Sequence, residues 1–86
     1  MSYYFYSIKS QKNNSLYKGI TSNLEERIKQ HNIGKNKSTK NNRPYKLVYF
    51  EKYNSRIEAR VREKLFKSGF GRERLKILIT KFNIPL

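Results

Sequence analysis

The chain has 86 residues, a length that suits a single domain. Twenty lysines and arginines against six acidic residues give a net charge of +14. This charge excludes an acidic mimic of nucleic acid and makes a polyanion the expected partner, with nucleic acid ahead of an anionic membrane face. The chain lacks cysteine, which excludes a disulfide framework and a zinc knuckle. No apolar run reaches the roughly 18–20 residues of a membrane span, and no signal-peptide pattern opens the chain, so we expect a cytoplasmic protein.

Three stretches rich in aromatic and β-branched residues predict strands at residues 3–8, 16–20 and 45–51. The polar turn between the first two contains the pair Asn13-Asn14, so these strands are expected to form an antiparallel hairpin. Alternation along each strand predicts which side chains share a face of the sheet. In the first strand, one face is predicted to carry Tyr4, Tyr6 and Ile8, and the other Tyr3 and Phe5. In the third strand, one face is predicted to carry Tyr45, Leu47 and Tyr49, and the other Val48 and Phe50.

Capping signals and apolar spacing predict three helices. The first begins at a capping box formed by Ser22 and Glu25 and ends at Gly34. The second begins at the capping box of Ser55 and Glu58 and continues to about residue 67. Its predicted main stripe is Ile57, Val61 and Leu65, with Ala59, Glu63 and Phe66 on a different face. The last helix is predicted from residue 72 to about 83, with Leu75, Leu78, Ile79 and Phe82 at helical spacing.

The element order is therefore β-β-α-β-α-α, which predicts an α+β fold in which helices flank a small antiparallel three-stranded sheet. Residues 1–86 are expected to form one domain. Between the first helix and the third strand, residues 35–43 contain several cations but no acidic or apolar residue, so a solvated loop is predicted. The cations are Lys35, Lys37, Lys40 and Arg43.

The residue types present exclude most enzyme sites. A single histidine rules out two-histidine metal sites, and the lack of cysteine and aspartate rules out a thiol nucleophile and an aspartate-rich two-metal site. No glycine-rich phosphate loop is present. The remaining Tyr, Arg, Lys, Glu and His side chains suit phosphate chemistry, because cations clamp phosphate and a carboxylate can hold Mg²⁺.

Two tyrosine motifs, Tyr4-Phe5-Tyr6 and Tyr17-Lys18-Gly19, are followed in order by an arginine, a histidine and a helix glutamate. This order resembles the GIY-YIG nuclease superfamily, and the similarity extends to about Leu75. Residues 43–49 and 58–69 look like the small stand-alone bacterial members, and the excision-repair nuclease subunit carries a related N-terminal domain. Tyr4 and Lys18 stand where the motifs have Gly and Ile. A catalytic Asn of several branches has no clear counterpart, since Asn83 lies too far along the chain.

The resemblance implies a role for each matching residue. The implied site comprises Tyr6 as general base, Tyr17 as an orienting group, Arg27 as a phosphate ligand, His31 beside the scissile phosphate and Glu63 as the metal ligand. A tyrosine close to a metal and to cations is expected to have a lowered pKa. The implied cofactor is Mg²⁺, with Mn²⁺ as an alternative. The four cations of the loop are expected to contact the nucleic-acid backbone.

Each of these residues also has a packing interpretation. Strand tyrosines commonly pack, His31 continues the stripe of Leu24 and Ile28, and Glu63 could pair with Lys67 or Arg60 on its own helix. The predicted function is a Mg²⁺-dependent endonuclease acting on DNA, in a role such as DNA repair, with RNA left open as a substrate. No membrane and no obligate protein partner is inferred. The alternatives are a catalytically silent nucleic-acid-binding module and a basic structural protein of a ribonucleoprotein.

Overall fold

The computed structural model describes residues 1–82 and confirms the element order β-β-α-β-α-α. The strands are β1 (Tyr3–Ser10), β2 (Leu16–Thr21) and β3 (Tyr45–Tyr53). The helices are α1 (Leu24–Asn32), α2 (Arg56–Lys67) and α3 (Gly69–Lys81), and a short 3₁₀ helix spans Lys40–Asn42. Asn83, the predicted end of the last helix, lies outside the described residues. In residues 1–82 no helix combines the length and the apolar character that crossing a membrane requires.

The sheet is antiparallel, and its strand order β2-β1-β3 places β1 in the centre. The predicted hairpin of β1 and β2 is confirmed, and Asn14 in its turn has a φ of 64°, which asparagine tolerates well. Both faces of β1 are covered. Phe5 packs against α2 and α3, whereas Tyr6 and Ile8 pack on the side of α1. The predicted alternation in β1 is therefore confirmed.

β3 contains a bulge that the sequence analysis did not predict. Its pairing with β1 skips Val48, and an extra residue of this kind reverses the alternation of the side chains that follow. Tyr45 and Leu47 consequently pack on the α1 side together with Phe50, whereas Tyr49 packs on the side of α2 and α3. The predicted common face for Tyr45, Leu47 and Tyr49 is wrong for this reason.

α1 begins one residue later than predicted. Asn23 rather than Ser22 is the N-cap, and its side chain accepts a hydrogen bond from the backbone N–H of Glu26. Asparagine and serine are equally good caps, and Glu26 stands at the same spacing from Asn23 as Glu25 from Ser22. Gly34 follows the helix with a φ of 86°, as expected of a residue that stops a helix.

The face of α2 that meets the sheet differs from the predicted one. Ala59 and Phe66 are fully buried, whereas Ile57 and Val61 are 77% and 60% exposed. Periodicity shows that two helix faces are apolar, but it does not identify which face packs on the sheet. The predicted main stripe of α2 is therefore wrong, and the face predicted for Ala59, Glu63 and Phe66 is the one turned towards the protein.

α3 packs as predicted but begins three residues earlier. Its N-cap is Ser68, whose side chain accepts from the backbone N–H of Gly71. A Cβ at Gly71 would lie only 1.7 Å from the carbonyl oxygen of Leu65, so this corner between α2 and α3 requires glycine. Leu75 is fully buried, and the other predicted apolar residues of α3 pack around it.

Candidate active site

The hydroxyl of Tyr6 lies at the centre of the candidate site. Tyr6 is only 1% exposed, and its hydroxyl is 2.8 Å from Nε2 of His31. Gly19 is opposite Tyr6 in the pairing of β1 with β2. A Cβ at Gly19 would come within 2.8 Å of the Tyr6 hydroxyl, so the absence of a side chain there makes room for the tyrosine. The glycine of the second motif therefore has a direct steric role in the site.

His31 is fully buried near the end of α1, on the stripe that also contains Leu24 and Ile28. Its Nε2 atom faces Tyr6, and its Nδ1 atom is 2.7 Å from the hydroxyl oxygen of Thr39. The Tyr17 ring lies beside both side chains, with its centroid 4.9 Å from that of His31 and 6.4 Å from that of Tyr6. The structure thus brings together three of the predicted site residues, and both ring nitrogens of the histidine have partners.

Burial determines the protonation of this pair. Burial, with a contribution from neighbouring Tyr17, raises the pKa of Tyr6 well above its ordinary value, although Arg27 acts in the opposite direction. Burial and then the charge of Arg27 lower the pKa of His31 below 6.5. Tyr6 and His31 are therefore both neutral at neutral pH. The expected lowering of the tyrosine pKa concerns a tyrosine beside a bound metal. In the metal-free protein desolvation outweighs the nearby cation, so the pKa of Tyr6 is raised instead.

Arg27 lies on α1 one turn before His31, close enough to act on the pKa values of both Tyr6 and His31. It lines a polar cleft of about 190 Å³. The other lining residues are Thr21, Ser22, Asn23, Glu26 and Gln30. Within the described part of the chain, the Arg27 guanidinium forms no ion pair, so its donors are available to bind a phosphate.

Glu63 lies on α2 with its side chain 14% exposed. One carboxylate oxygen is 3.1 Å from the Lys67 ammonium, and the other is 3.8 Å from the Arg60 guanidinium. The ion pairs with Lys67 and Arg60, on which the alternative structural interpretation of Glu63 is based, are therefore present. Both cations are more than half exposed, so solvent screens these pairs and each cation can swing into solvent.

Only one other glutamate is comparably enclosed, and its bonding excludes it as a metal ligand. Glu51 accepts hydrogen bonds from the hydroxyls of Tyr49 and Tyr53 and from two nitrogens of the Arg62 guanidinium. These donors occupy both carboxylate oxygens. The remaining glutamates are exposed on helix surfaces, and they are Glu25, Glu26, Glu58 and Glu73.

Glu63 fits a metal site of the kind that Mg²⁺ uses. Mg²⁺ is commonly bound through one or two carboxylates, with waters and substrate phosphate completing the coordination. In residues 1–82 no three histidine or carboxylate side chains converge, so a site here would have Glu63 as its protein ligand and draw the other oxygens from water and substrate. Glu63 is also close enough to Tyr6 to raise the pKa of the phenol.

The loop cations lie apart from the buried centre. Lys35, Lys37, Lys40 and Arg43 are all exposed. The loop is nevertheless ordered, because the Arg43 side chain donates to the carbonyl of Lys40 at 2.9 Å and its guanidinium covers Gly34. Thr39, in the middle of this loop, is fully buried. The prediction that the whole segment is solvated is wrong at this residue, because Thr39 has a hydrogen-bond partner in the core.

Sequence reasoning missed the roles of two residues in the site, Thr39 and Gly19. A threonine between charged residues carries no pattern that distinguishes a buried hydroxyl from an exposed one. Gly19 belongs to the second tyrosine motif, so its position was a usable signal, but the clash that it avoids with Tyr6 becomes apparent only in three dimensions.

A family model described as the GIY-YIG catalytic domain matches residues 2–76. The chain belongs to the GIY-YIG family. A UPF0213 protein of Staphylococcus haemolyticus is 46% identical over 77 residues, covering 88% of this chain and 93% of that protein. A UPF0213 protein of Clostridium perfringens is 43% identical over 79 residues, covering 91% of this chain and 84% of that protein.

A solved structure is also similar. The solution NMR structure of a UPF0213 protein from Bacillus halodurans has a TM-score of 0.56 and 33% sequence identity, covering 91% of this chain and 85% of that chain. GIY-YIG domains are nuclease domains that act on nucleic acid and generally use divalent metal ions. Membership of this family therefore supports an endonuclease-type function.

Proposed function

We propose that this GIY-YIG protein is a Mg²⁺-dependent endonuclease that hydrolyses phosphodiester bonds of DNA. The observation that carries the proposal is the buried hydrogen bond between the Tyr6 hydroxyl and Nε2 of His31. A packing tyrosine requires only some partner for its hydroxyl. A neutral imidazole is a partner that can also take the phenolic proton, which suits the pair to acid–base chemistry.

The proposed reaction is a single displacement at phosphorus. The oxygen of a water molecule forms a bond to phosphorus while the bond between phosphorus and the leaving sugar oxygen breaks. The sugar oxygen departs with the electron pair of the broken bond. Tyr6 removes the proton of the attacking water. Arg27 donates to phosphate oxygens and so offsets the charge that develops on them. Tyr17 is half-buried and orients the phosphate or the water, because it is more accessible than Tyr6.

The metal is assigned to Glu63. When bound, Mg²⁺ would supply positive charge next to the phosphate oxygens and the leaving oxygen. Glu63 would release Lys67 and Arg60 to bind it, and each released cation would then be free to contact the phosphate backbone. This exchange of partners is consistent with the exposure of both cations.

DNA binding is assigned to the basic surface. The net charge of +14 attracts phosphate whatever the base sequence. The four loop cations lie directly after α1, the helix that carries Arg27 and His31. We infer that a phosphate backbone bound beside Arg27 extends to these exposed cations.

Nicking of a supercoiled plasmid with and without Mg²⁺ tests the proposal. Glu63→Gln should abolish Mg²⁺-dependent nicking while it leaves DNA affinity unchanged or slightly raised, because one negative charge is lost. Glu58→Gln is the matched control, since Glu58 is exposed on the same helix and should nick at the wild-type rate. Equal activity of Glu63→Gln and wild type would remove the metal assignment. DNA binding without nicking by the wild-type protein would instead support a silent binding module.

A further inference from the structure

Thr39 is the one residue of the basic loop whose side chain reaches the centre of the site. It is fully buried, whereas its neighbours Ser38 and Lys40 are exposed. Its hydroxyl oxygen is 2.7 Å from Nδ1 of His31 and 3.4 Å from the carbonyl oxygen of Asn36. The buried hydroxyl is therefore held between an imidazole and a backbone carbonyl.

One arrangement of the hydrogen atoms gives both the Tyr6 and the Thr39 hydroxyl an acceptor among the described residues, since Nε2 of His31 is the hydrogen-bond partner of the Tyr6 hydroxyl. The Asn36 carbonyl only accepts, so the single hydrogen between it and Thr39 is the threonine's own. The Thr39 oxygen then accepts from His31, which places the imidazole proton on Nδ1. In a neutral imidazole the other nitrogen carries a lone pair, so Nε2 accepts the hydrogen of the Tyr6 hydroxyl. The three bonds run in one direction, from Tyr6 through His31 and Thr39 to Asn36.

The Asn36 carbonyl is itself held in place. It accepts backbone hydrogen bonds from Thr39 at 3.2 Å and from Lys40 at 3.0 Å, at the start of the 3₁₀ helix. The side chain of Asn36 also accepts from the backbone N–H of Ser38. The acceptor at the end of the chain is therefore fixed by the fold of the loop and does not depend on substrate.

The two neutral tautomers of His31 would have opposite consequences. With the proton on Nδ1, the Nε2 lone pair can take the Tyr6 proton. With the proton on Nε2, the imidazole would donate to the Tyr6 oxygen and the phenolic proton would have no acceptor there. The tautomer of a histidine is set by the bond that its other nitrogen makes, and here that bond is to Thr39.

We propose that Thr39 is a positioning residue that holds His31 in the Nδ1-protonated tautomer, so that His31 can accept the hydroxyl proton of Tyr6. This inference rests on the proposed nuclease function. As a water loses a proton to the Tyr6 oxygen, the original phenolic proton moves to Nε2 of His31, and the hydroxide so formed attacks phosphorus. The resulting imidazolium keeps its Nδ1–H bond to Thr39. After product release His31 returns its proton to Tyr6, which passes one to solvent water.

The other groups around His31 do not replace this function of Thr39. Tyr6, Tyr17 and Tyr45 face the ring from the three strands, with ring centroids between 4.9 and 6.3 Å away. Arg27 approaches from α1 itself and lowers the pKa of His31. Of these groups, Tyr6 is the one bonded to a ring nitrogen of His31, and it occupies Nε2.

Nitrogen-15 NMR of the histidine ring tests the tautomer directly, and the signal is unambiguous because the chain contains a single histidine. The metal-free wild-type protein at neutral pH should show a protonated Nδ1 and an unprotonated Nε2. Thr39→Val keeps the shape without the hydroxyl and should move the proton wholly or partly to Nε2. Thr39→Ser keeps the hydroxyl and should retain the wild-type pattern. A protonated Nε2 in the wild-type protein, or an unchanged tautomer in Thr39→Val, would overturn the proposal.

Plasmid nicking provides a second measurement. Thr39→Val should lower the rate roughly 10–100-fold, the usual scale for removal of a group that orients a catalytic side chain, and Thr39→Ser should restore most of it. Normal nicking by Thr39→Val together with an altered tautomer would overturn the catalytic part of the inference. If the wild-type protein does not nick DNA but shows the expected tautomer and its change in Thr39→Val, the nuclease proposal fails and the assignment of Thr39 to His31 stands.

Discussion

Gly19→Ala tests the central contact of the site with the addition of a single methyl group. A Cβ at residue 19 would lie 2.8 Å from the Tyr6 hydroxyl oxygen, whereas ordinary van der Waals contact begins at 3.4 Å. The hydroxyl must therefore retreat by about 0.6 Å, the difference between these two distances. Because Tyr6 is 1% exposed and its ring is enclosed, this movement weakens the hydrogen bond between the Tyr6 hydroxyl and His31.

The expected losses follow from this displacement. Overpacking of a core costs about 1–3 kcal/mol, and replacing a strand glycine by alanine returns about 0.5–1 kcal/mol, so we expect a net destabilisation of roughly 1–2 kcal/mol. A misplacement near 1 Å at a reacting group can lower a rate about 10²-fold. Gly19→Ala should therefore nick plasmid about 10–100-fold more slowly, with DNA affinity unchanged.

Gly69→Ala is the matched control, because a Cβ at that residue meets no heavy atom within 4 Å. It should unfold in urea at or slightly above the wild-type midpoint and nick DNA at the wild-type rate. If Gly19→Ala nicked DNA as fast as Gly69→Ala, the position of the Tyr6 hydroxyl would not matter for the reaction. Our account of the motif glycine would then be refuted.

Further predictions concern the acid–base pair and the loop. Tyr6→Phe should slow nicking by roughly 10²–10⁴-fold with binding preserved. Tyr17→Phe should also lower the rate but keep its pH dependence. If Tyr17→Phe rather than Tyr6→Phe removed the pH dependence, the two roles would have to be exchanged. Because burial lowers the pKa of His31 below 6.5 and the imidazolium cannot accept a proton, the nicking rate should be constant around neutral pH and fall as the pH drops through that lowered pKa. A rate that rises on acidification would contradict this role of His31. Removing the three lysine charges of the loop (Lys35, Lys37 and Lys40) should change the slope of log binding constant against log salt concentration. For duplex DNA the slope should become less steep by about 2.7, at roughly 0.9 per phosphate contact. An unchanged slope would mean that the loop does not touch DNA.

The sequence predicted the strands and helices well because their signals are local. Strand composition, the polar turn and the Ser55 cap each concern a few neighbouring residues, and all are confirmed. The bulge at Val48 could not be predicted, because it depends on how β3 pairs with β1. The exposed Ile57 and Val61 show the same limit, since two apolar faces of one helix cannot be ranked without its neighbours.

The candidate site was predictable only through the family motifs. Composition alone does not distinguish Tyr6 from the other tyrosines. Without the family motif, Glu63 would be interpreted as part of a helix ion pair. The motif order selected Tyr6, Tyr17 and His31, which lie together in the structure. It could not select Thr39, because its hydroxyl meets His31 through the path of a loop rather than through a sequence pattern.

The two enclosed glutamates of the described chain permit a prediction that separates stability from activity. Glu51 has a fully bonded carboxylate, and Arg62 contacts it through two nitrogens at 2.8 and 2.9 Å. Burial by itself would raise the pKa of Glu51, but the hydrogen bonds from Arg62, Tyr49 and Tyr53 outweigh it and lower the pKa below 4.5. A carboxylate with a lowered pKa stabilises the folded state above its ordinary pKa, and this contribution is lost as the pH falls through the lowered value.

Glu51→Gln should therefore destabilise the protein at neutral pH, because it leaves the Arg62 guanidinium without its carboxylate. Breaking a fully buried pair costs about 3–5 kcal/mol. Since Arg62 is 31% exposed and solvent screens the pair, we expect roughly 1–3 kcal/mol in urea unfolding at pH 7. As the pH falls through the lowered pKa of Glu51, the difference from wild type should shrink, because the wild-type carboxylate becomes protonated. The folded fraction of Glu51→Gln should still nick DNA at the wild-type rate, whereas Glu63→Gln should retain its stability and lose nicking. A stable Glu51→Gln protein that lost activity would show that the metal ligand had been assigned to the wrong glutamate.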